Sequence, residues 1–365
     1  MTPRTLTRRE LNRAILARQM LLRREPVSAL DAMERLVGMQ AQEPLDPYVG
    51  LWTRVEGFRP EELSELLGNR LAARIVMLYR TTIHLVSARD CLRIRPLLQP
   101  VAVRQFGYSP FARNLEGLDI DEVVAAGRAL IEERPQTASE VGRTLAERWP
   151  GRDASSLGYA VRYHVPLVQL PPRGLWRRGG RPVLATVEHW LGSALEAPLS
   201  IEELVRRYLA AFGPATVKDV GTWSWLTGIR EVVERMRATL VTFRDEAGRE
   251  LFDLPDAPLP DPETPAPVRL LPEYDNLLLS HDDRSRIADP AFRLRAWMRG
   301  SLLVDGFLRG TWRLDSKTGP TAVHIGLNAP LHPSEKRDVE AEATALLAFM
   351  TGGAGPHRIV FVDLD

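Results

Sequence analysis

Three times along this chain a group of amphipathic helices gives way to two short apolar strands joined by a turn. That repeat of architecture restricts the fold more than any single residue does. In the first pass, Leu11, Ala14, Ile15, Ala17 and Leu21 fall at helical spacing over 7–20, and the pattern returns over 28–37 with Ser28 as N-cap. A third helix over 60–67 opens with Pro60, Glu61 and Glu62, and RIVMLYRTTIHLVS then reads as paired strands around 79–82. The second pass sets helices over 120–134, 138–148 (capped by Thr137) and 154–164 before LVQLPPRGLWRRGGRPVLATV, two strands around a Gly/Pro/Arg tip. The third runs through 201–212, GPATVKDVGTWSW and 228–239 to strands at 240–243 and 250–254. Helices followed by a strand pair describe a winged helix.

Beyond the proline-rich stretch DLPDAPLPDPETPAP the sequence turns to strands: VRLLPEYDNLLL, GSLLVDGFLRGTWRL, TAVHIGL and HRIVFVDL, with one helix over 333–350. The fold class expected is therefore α+β. Winged-helix motifs occupy 1–115, 116–197 and 198–256, and a mixed α/β unit, mostly antiparallel, occupies 257–365.

Winged helices most often bind nucleic acid, with a helix in the major groove and the wing on the backbone or in the minor groove, though such modules also serve as protein-interaction scaffolds. Charge favours the first role. Residues 1–115 carry 18 Arg against 11 Asp and Glu, whereas 245–290 carry 12 acids against 4 Arg. Only Lys218, Lys317 and Lys336 are lysines, a bias that codon usage in a GC-rich genome explains. Arginine still brings bidentate phosphate geometry where it clusters. In the second wing Arg173, Arg177, Arg178 and Arg181 surround Trp176, with no acid from 166 to 187, which suits minor-groove contact with the tryptophan able to wedge or stack.

Other chemistries lack their marks. The sequence has no phosphate-binding glycine loop, nucleophile elbow or His-Glu zinc helix. Cys91 is the single cysteine and reads as core, and the seven histidines lack metal-ligand spacing, so no metal or cofactor is expected. His84 and His164 read as structural rather than as metal ligands, and Asp275, Asp282 and Asp283 as an ion-pair network with Arg284 and Arg286. No signal peptide or run of about eighteen apolar residues is visible. The expectation is a cytoplasmic monomer with no membrane partner.

The candidate site is GMQAQEPLDPY. Pro44 and Pro47 push the chain out of helix, so it should leave a helix near Gly38 and run extended. Alternate side chains then share a face, and Gln40 and Gln42 would offer two amides to one object. Taken by itself, the segment reads first as a polar loop after a helix.

With YRTTIHLV, GPATVKDVGTWSWLTG, LLPEYDNLLLSHDDRSRI and VDGFLRGTWR, in this order and spacing, the segment GMQAQEP resembles the AlkZ-type winged-helix DNA glycosylases, the azinomycin-resistance family. The resemblance covers nearly the whole chain. It implies three tandem winged helices in a C-shaped molecule, and excision of bulky or crosslinking alkyl purine adducts from double-stranded DNA, including unhooking of interstrand crosslinks. It implies DNA repair or self-resistance to a genotoxic natural product. It also implies a catalytic Gln-x-Gln signature, or Gln-x-Asp in a sister branch; Gln40-Ala41-Gln42 has the first form. Arg80, Thr81 and His84 of the first wing join the arginines of the second as expected DNA contacts.

Glutamines suit the chemistry. A purine alkylated on its major-groove ring nitrogen is already a cationic leaving group, so the protein need only hold a water against the anomeric carbon and favour the cationic sugar with oriented dipoles. Glu43, the nearest carboxylate, is the alternative general base. With three lysines, none near the segment in sequence, a Schiff base and strand cleavage are not expected. The rival from another class is a transcription regulator or passive damage-binding protein built on the same modules.

Overall fold

The computed structural model describes residues 3–289, 299–316 and 320–363. Its helices begin where local side chains can take up orphan backbone N–H groups. Thr7 with Glu10, Thr137 with Glu140 and Thr216 with Asp219 form capping boxes at the starts of Arg8–Arg18, Ala138–Arg148 and Val217–Ser224. Ser28, Asp119, Asp153 and Ser200 cap Ala29–Arg35, Ile120–Glu133, Ala154–His164 and Ile201–Phe212. These helices stand close to their expected bounds, as do Pro60–Gly68 and Ile229–Met236.

The longest helix, Ala88–Tyr108, lies where the sequence predicts no element, because Pro96 and Pro100 fall inside it. Pro96 has no N–H for the Leu92 carbonyl four residues back. The structure supplies one from elsewhere: Glu196 N–H donates to Leu92 O at 3.3 Å, and Leu199 N–H to Arg93 O at 3.0 Å.

Three sheets organise the strands. The largest has six strands in the order Met39–Gln40, His84–Ser87, Ala72–Ile75, Leu167–Gln169, Val183–Thr186, Gln136–Thr137. The two expected wings thus join edge to edge, through Arg74 opposite Gln169 and Ile75 opposite Val168. A three-stranded sheet combines Val241–Asp245 and Glu250–Asp253 with Thr5–Leu6, which pairs parallel to the first of them. The N-terminal strand therefore completes a sheet some 240 residues away.

The third sheet runs Arg269–Leu271, Gly300–Val304, Phe307–Asp315, Ala322–Leu327, Arg358–Asp363; its first three pairings are antiparallel and its last is parallel. The helix Pro333–Thr351 crosses it, placing Val339, Ala343, Leu346 and Leu347 in a core with Leu302, Val323 and Ile325.

One apolar core runs from Val37 and Ile75 through Tyr208, Phe212 and Trp223 to Phe252 and takes in Val168 and Ala185, while the helices Ile120–Glu133, Ala138–Arg148 and Ala154–His164 pack in a second core around Val123, Val141 and Leu157. Cys91 lies within the first, fully buried. Among the described residues, no helix is long and apolar enough to cross a membrane.

Candidate active site

The glutamine segment leaves its helix as expected and is then pinned from both sides. Gly38 takes φ +93°, and a Cβ there would lie 2.7 Å from Val86 Cγ1, so the turn out of Ala29–Arg35 demands glycine. Met39 and Gln40 pair with Leu85 and His84, and Ala41 N–H continues the ladder to Ile83 O at 2.8 Å. The Gly38 carbonyl accepts from Asn276 Nδ2 at 2.6 Å, and the Ala41 carbonyl from Arg74 Nη2 at 2.8 Å. Arg74 is buried and also reaches Gln169 Oε1 at 3.2 Å; burial pushes its guanidinium down to about 10.

The extended run is shorter than the sequence suggests. Helix Asp46–Trp52 starts two residues after Pro44, with Pro47 in its first turn, where a missing N–H costs nothing. Gln40 is almost buried at 8% exposed, while Gln42 and Glu43 are exposed.

Gln40 has a charged partner. Arg80 Nη2 donates to its Oε1 at 2.8 Å, and Arg80 Nη1 reaches Trp223 O at 3.4 Å. Both hydrogen-bond partners of this guanidinium among the described residues are carbonyl oxygens. Burial, with Arg284 adding to it, lowers its pKa to about 10. Thr81 is partly buried and its hydroxyl turns back to the Arg80 carbonyl at 2.8 Å.

His84, opposite Gln40 in the ladder, is 1% exposed, lies edge-on to Tyr79 at 5.1 Å, and is pushed down to about 3 by burial. The DNA contact expected of it does not survive: a buried neutral ring is structural. His164 likewise bonds the Ala160 carbonyl at 2.8 Å and packs edge-on to Phe106.

The other wall of the site comes from far along the chain. Gln40, Met39 and Asp46 line a small cleft with Glu273, Tyr274 and Asn276. Burial first, then Glu273 and Glu43, push the half-buried Asp46 carboxyl up to about 9, and Glu273 is raised by burial and by Glu43. Asp46 Oδ2 is buried without a hydrogen-bond partner. Asp275 holds this wall in place by gripping buried Arg54 with both oxygens, at 2.7 and 2.9 Å.

Asp275, Asp282 and Asp283 do pair with cations: Asp282 acts on Arg284 and Asp283 on Arg286 by charge, and each aspartate also has a partner distant in sequence. Asp282 pairs with Lys218 at 2.7 Å and Asp283 with Arg249, while buried Arg286 donates to Pro214 O at 2.8 Å. Among the described residues, no group of His, Cys, Asp and Glu has the arrangement to hold a metal ion.

The arginine-rich loop between Leu167–Gln169 and Val183–Thr186 exposes Arg177, Arg178 and Arg181, with Arg173 partly buried. Trp176 does not stand free. Its ring packs 4.9 Å from Tyr48 and 5.3 Å from Phe349, and the backbone N–H of Trp176 donates to Ser64 Oγ at 3.1 Å, so it ties the loop to the helices beneath it. A wedge into DNA would require this packing to be given up. Arg177 bonds the Met350 carbonyl, Arg173 the Gly180 carbonyl at 3.3 Å, and Arg181 pairs with Glu140. Glu140 is an acid that the sequence around the loop does not reveal.

A family model described as AlkZ-like, "DNA glycosylase AlkZ-like", matches residues 33–349. Among solved structures, the Streptomyces sahachiroi DNA glycosylase AlkZ matches with a TM-score of 0.74 at 21% identity, over 98% of this chain and 100% of that one, a likeness of fold. No curated protein sequence matches the chain.

Proposed function

The chain belongs to the AlkZ-like DNA glycosylase family, and from that premise we propose that it hydrolyses the N-glycosidic bond of bulky or crosslinked alkylated purines in duplex DNA. In this reading the three helix groups with their strand pairs are winged helices set around the duplex in a C shape, occupying 1–115, 116–197 and 198–256 ahead of a mixed unit at 257–365. The enzyme acts as a monomer, in DNA repair or in self-resistance to a genotoxic natural product. Gln40 and Gln42 are the catalytic pair. Thr81, Arg173, Arg177, Arg178 and Arg181 face the backbone.

The observation that carries this reading is the fixing of Gln40-Ala41-Gln42. The Gly38 carbonyl ahead of it and the Ala41 carbonyl within it are held by Asn276 and Arg74, side chains from two distant segments, with bonds of 2.6 and 2.8 Å. Such support is what a preorganised site needs, since placing a water against C1′ fails with misplacement of about 1 Å. A cationic purine leaves readily, so oriented amide dipoles suffice where a neutral base would need a strong acid.

Lys218 and Lys336 are both engaged with acids, at 2.7 and 3.9 Å, and Lys317 lies outside the described residues. The product in this reading is an abasic site on an intact strand.

The test is single-turnover excision from alkylated duplex, read by strand breakage in hot alkali. Gln40→Ala and Gln42→Ala should each slow excision by roughly 10²- to 10³-fold, with the double variant losing less than the product of the two. Affinity should change only a few-fold, because neither amide adds to counterion release. A double variant as fast as wild type would remove the glutamines from the mechanism and turn attention to Glu43. A wild-type protein that shifts the duplex but never excises would be a passive damage binder.

A further inference from the structure

The Tyr79–Thr81 turn contains strained backbone that the glycosylase reading does not yet use. Arg80 and Thr81 both adopt positive φ, +51° and +54°, a conformation that non-glycine residues hold only when the surroundings enforce it. The turn delivers a guanidinium to the Gln40 carbonyl at 2.8 Å. Its second contact, the Trp223 carbonyl at 3.4 Å, belongs to a residue whose ring packs 4.0 Å from Tyr79, the start of the same turn. The cation is therefore anchored to a fixed aromatic pair and aimed at one atom of the glutamine pair.

Building on the glycosylase reading, we propose that Arg80 is a positioning residue that divides the work of the two glutamines. By holding Gln40 Oε1 it leaves the Nε2 hydrogens of Gln40 to donate to the departing purine, and it leaves the carbonyl of Gln42 to hold the attacking water.

The division follows from the capacities of the groups. An amide has one acceptor oxygen and two N–H donors. Turning the Gln40 amide by half a rotation would set its NH2 against the Arg80 N–H, donor against donor, and leave a partly buried cation without its acceptor. The orientation is thus set by Arg80. A carbonyl with a cation 2.8 Å away is a poor partner for a sugar gaining positive charge, so that role passes to Gln42, which is exposed one residue beyond the pinned Ala41 carbonyl.

The charge flow matches this assignment. As the C1′–N9 bond breaks, its electron pair leaves with the purine, whose ring nitrogens become better acceptors for the Gln40 N–H groups. The water oxygen bonds to C1′ and its proton passes to solvent. Gln40 also lines the cleft with Asp46 and Asn276, while Arg80 does not.

Two variants test the proposal in single-turnover excision from alkylated duplex. Gln40→Glu keeps an acceptor for Arg80 but carries no N–H, and it should lose about as much rate as Gln40→Ala, roughly 10²-fold or more; a rate near wild type overturns the proposal. Arg80→Asn removes the cation with a residue that tolerates left-handed backbone. It should slow excision by about 10-fold or more, and adding it to Gln40→Ala should cost nothing further. Arg80→Lys should recover part of the loss.

Salt-dependent binding separates this role from a phosphate contact: the slope of log affinity against log salt should stay at the wild-type value. A drop of about 0.9 on Arg80→Asn would make Arg80 a phosphate ligand and sink the positioning role. So would rate losses that multiply in the double variant. If Arg80→Asn fails to fold, Gln40→Glu decides. If Gln40→Ala slows excision and folded Arg80→Asn does not, only the role of Arg80 falls; if neither glutamine matters, the glycosylase site itself has been misplaced.

Discussion

Asp46 sits where two effects oppose each other. As the first residue of Asp46–Trp52 it occupies a helix N-terminus, which favours an anion, yet burial and the neighbouring Glu273, Glu43 and Asp275 push its carboxyl from 3.8 to about 9. Burial and like charge win. The folded state then holds a proton that the unfolded chain releases above its ordinary carboxylate range, so this residue makes stability fall as pH rises between about 4 and about 9. Asp46→Asn should remove that dependence. We expect melting to rise by a few degrees at pH 8 and by almost nothing near pH 4; an equal gain at both values would show that protonation is not the cause. At this scale the exit from helix at Gly38 was legible, because the prolines that follow Gln40 and Gln42 are local signals. The sequence did not show that Arg80 meets Gln40, nor that Glu273 crowds Asp46, since both depend on a turn and a wall that only tertiary structure assembles.

The arginine-rich loop is an element that the sequence places well and describes incompletely. Its strands and its four arginines are legible, but Glu140 beside Arg181 and the packing of Trp176 against Tyr48 and Phe349 are not. With the tryptophan engaged below, affinity should come from the exposed arginines. Arg177→Ala with Arg178→Ala should lower the slope of log affinity against log salt by about 1 to 2 while excision from bound duplex continues, and an unchanged slope would take the loop out of the interface. Many helix starts were legible because a cap needs only residues three apart, as with Thr137 and Glu140. Ala88–Tyr108 was not, because the donor that replaces the one missing at Pro96 belongs to Glu196, about a hundred residues away. The joining of the two strand pairs at Ile75 and Val168 escaped for the same reason.

Across the whole molecule, residues from both ends of the chain meet at the site. Arg54 and Asp275, 221 positions apart and both buried, tie the segment after Gln40 to the wall that faces it. Asp275→Ala would leave a buried guanidinium uncompensated, at a cost of about 3–5 kcal/mol. Urea unfolding should show that loss, and excision should slow with no change in salt slope; a variant of wild-type stability would mean that water replaces the carboxylate. The pairing of Thr5–Leu6 with Val241–Asp245 bears on how the protein is made. At about 5–20 residues per second, the leading strand waits on the ribosome for roughly 12–48 s before its partner is synthesised. Arg18 and Arg13 wait with it for Asp253 and Asp305. The sheet that carries Gln40 has all its strands once Thr186 has emerged, so the nascent chain can set the strand of Gln40 well before its own beginning finds a place to dock.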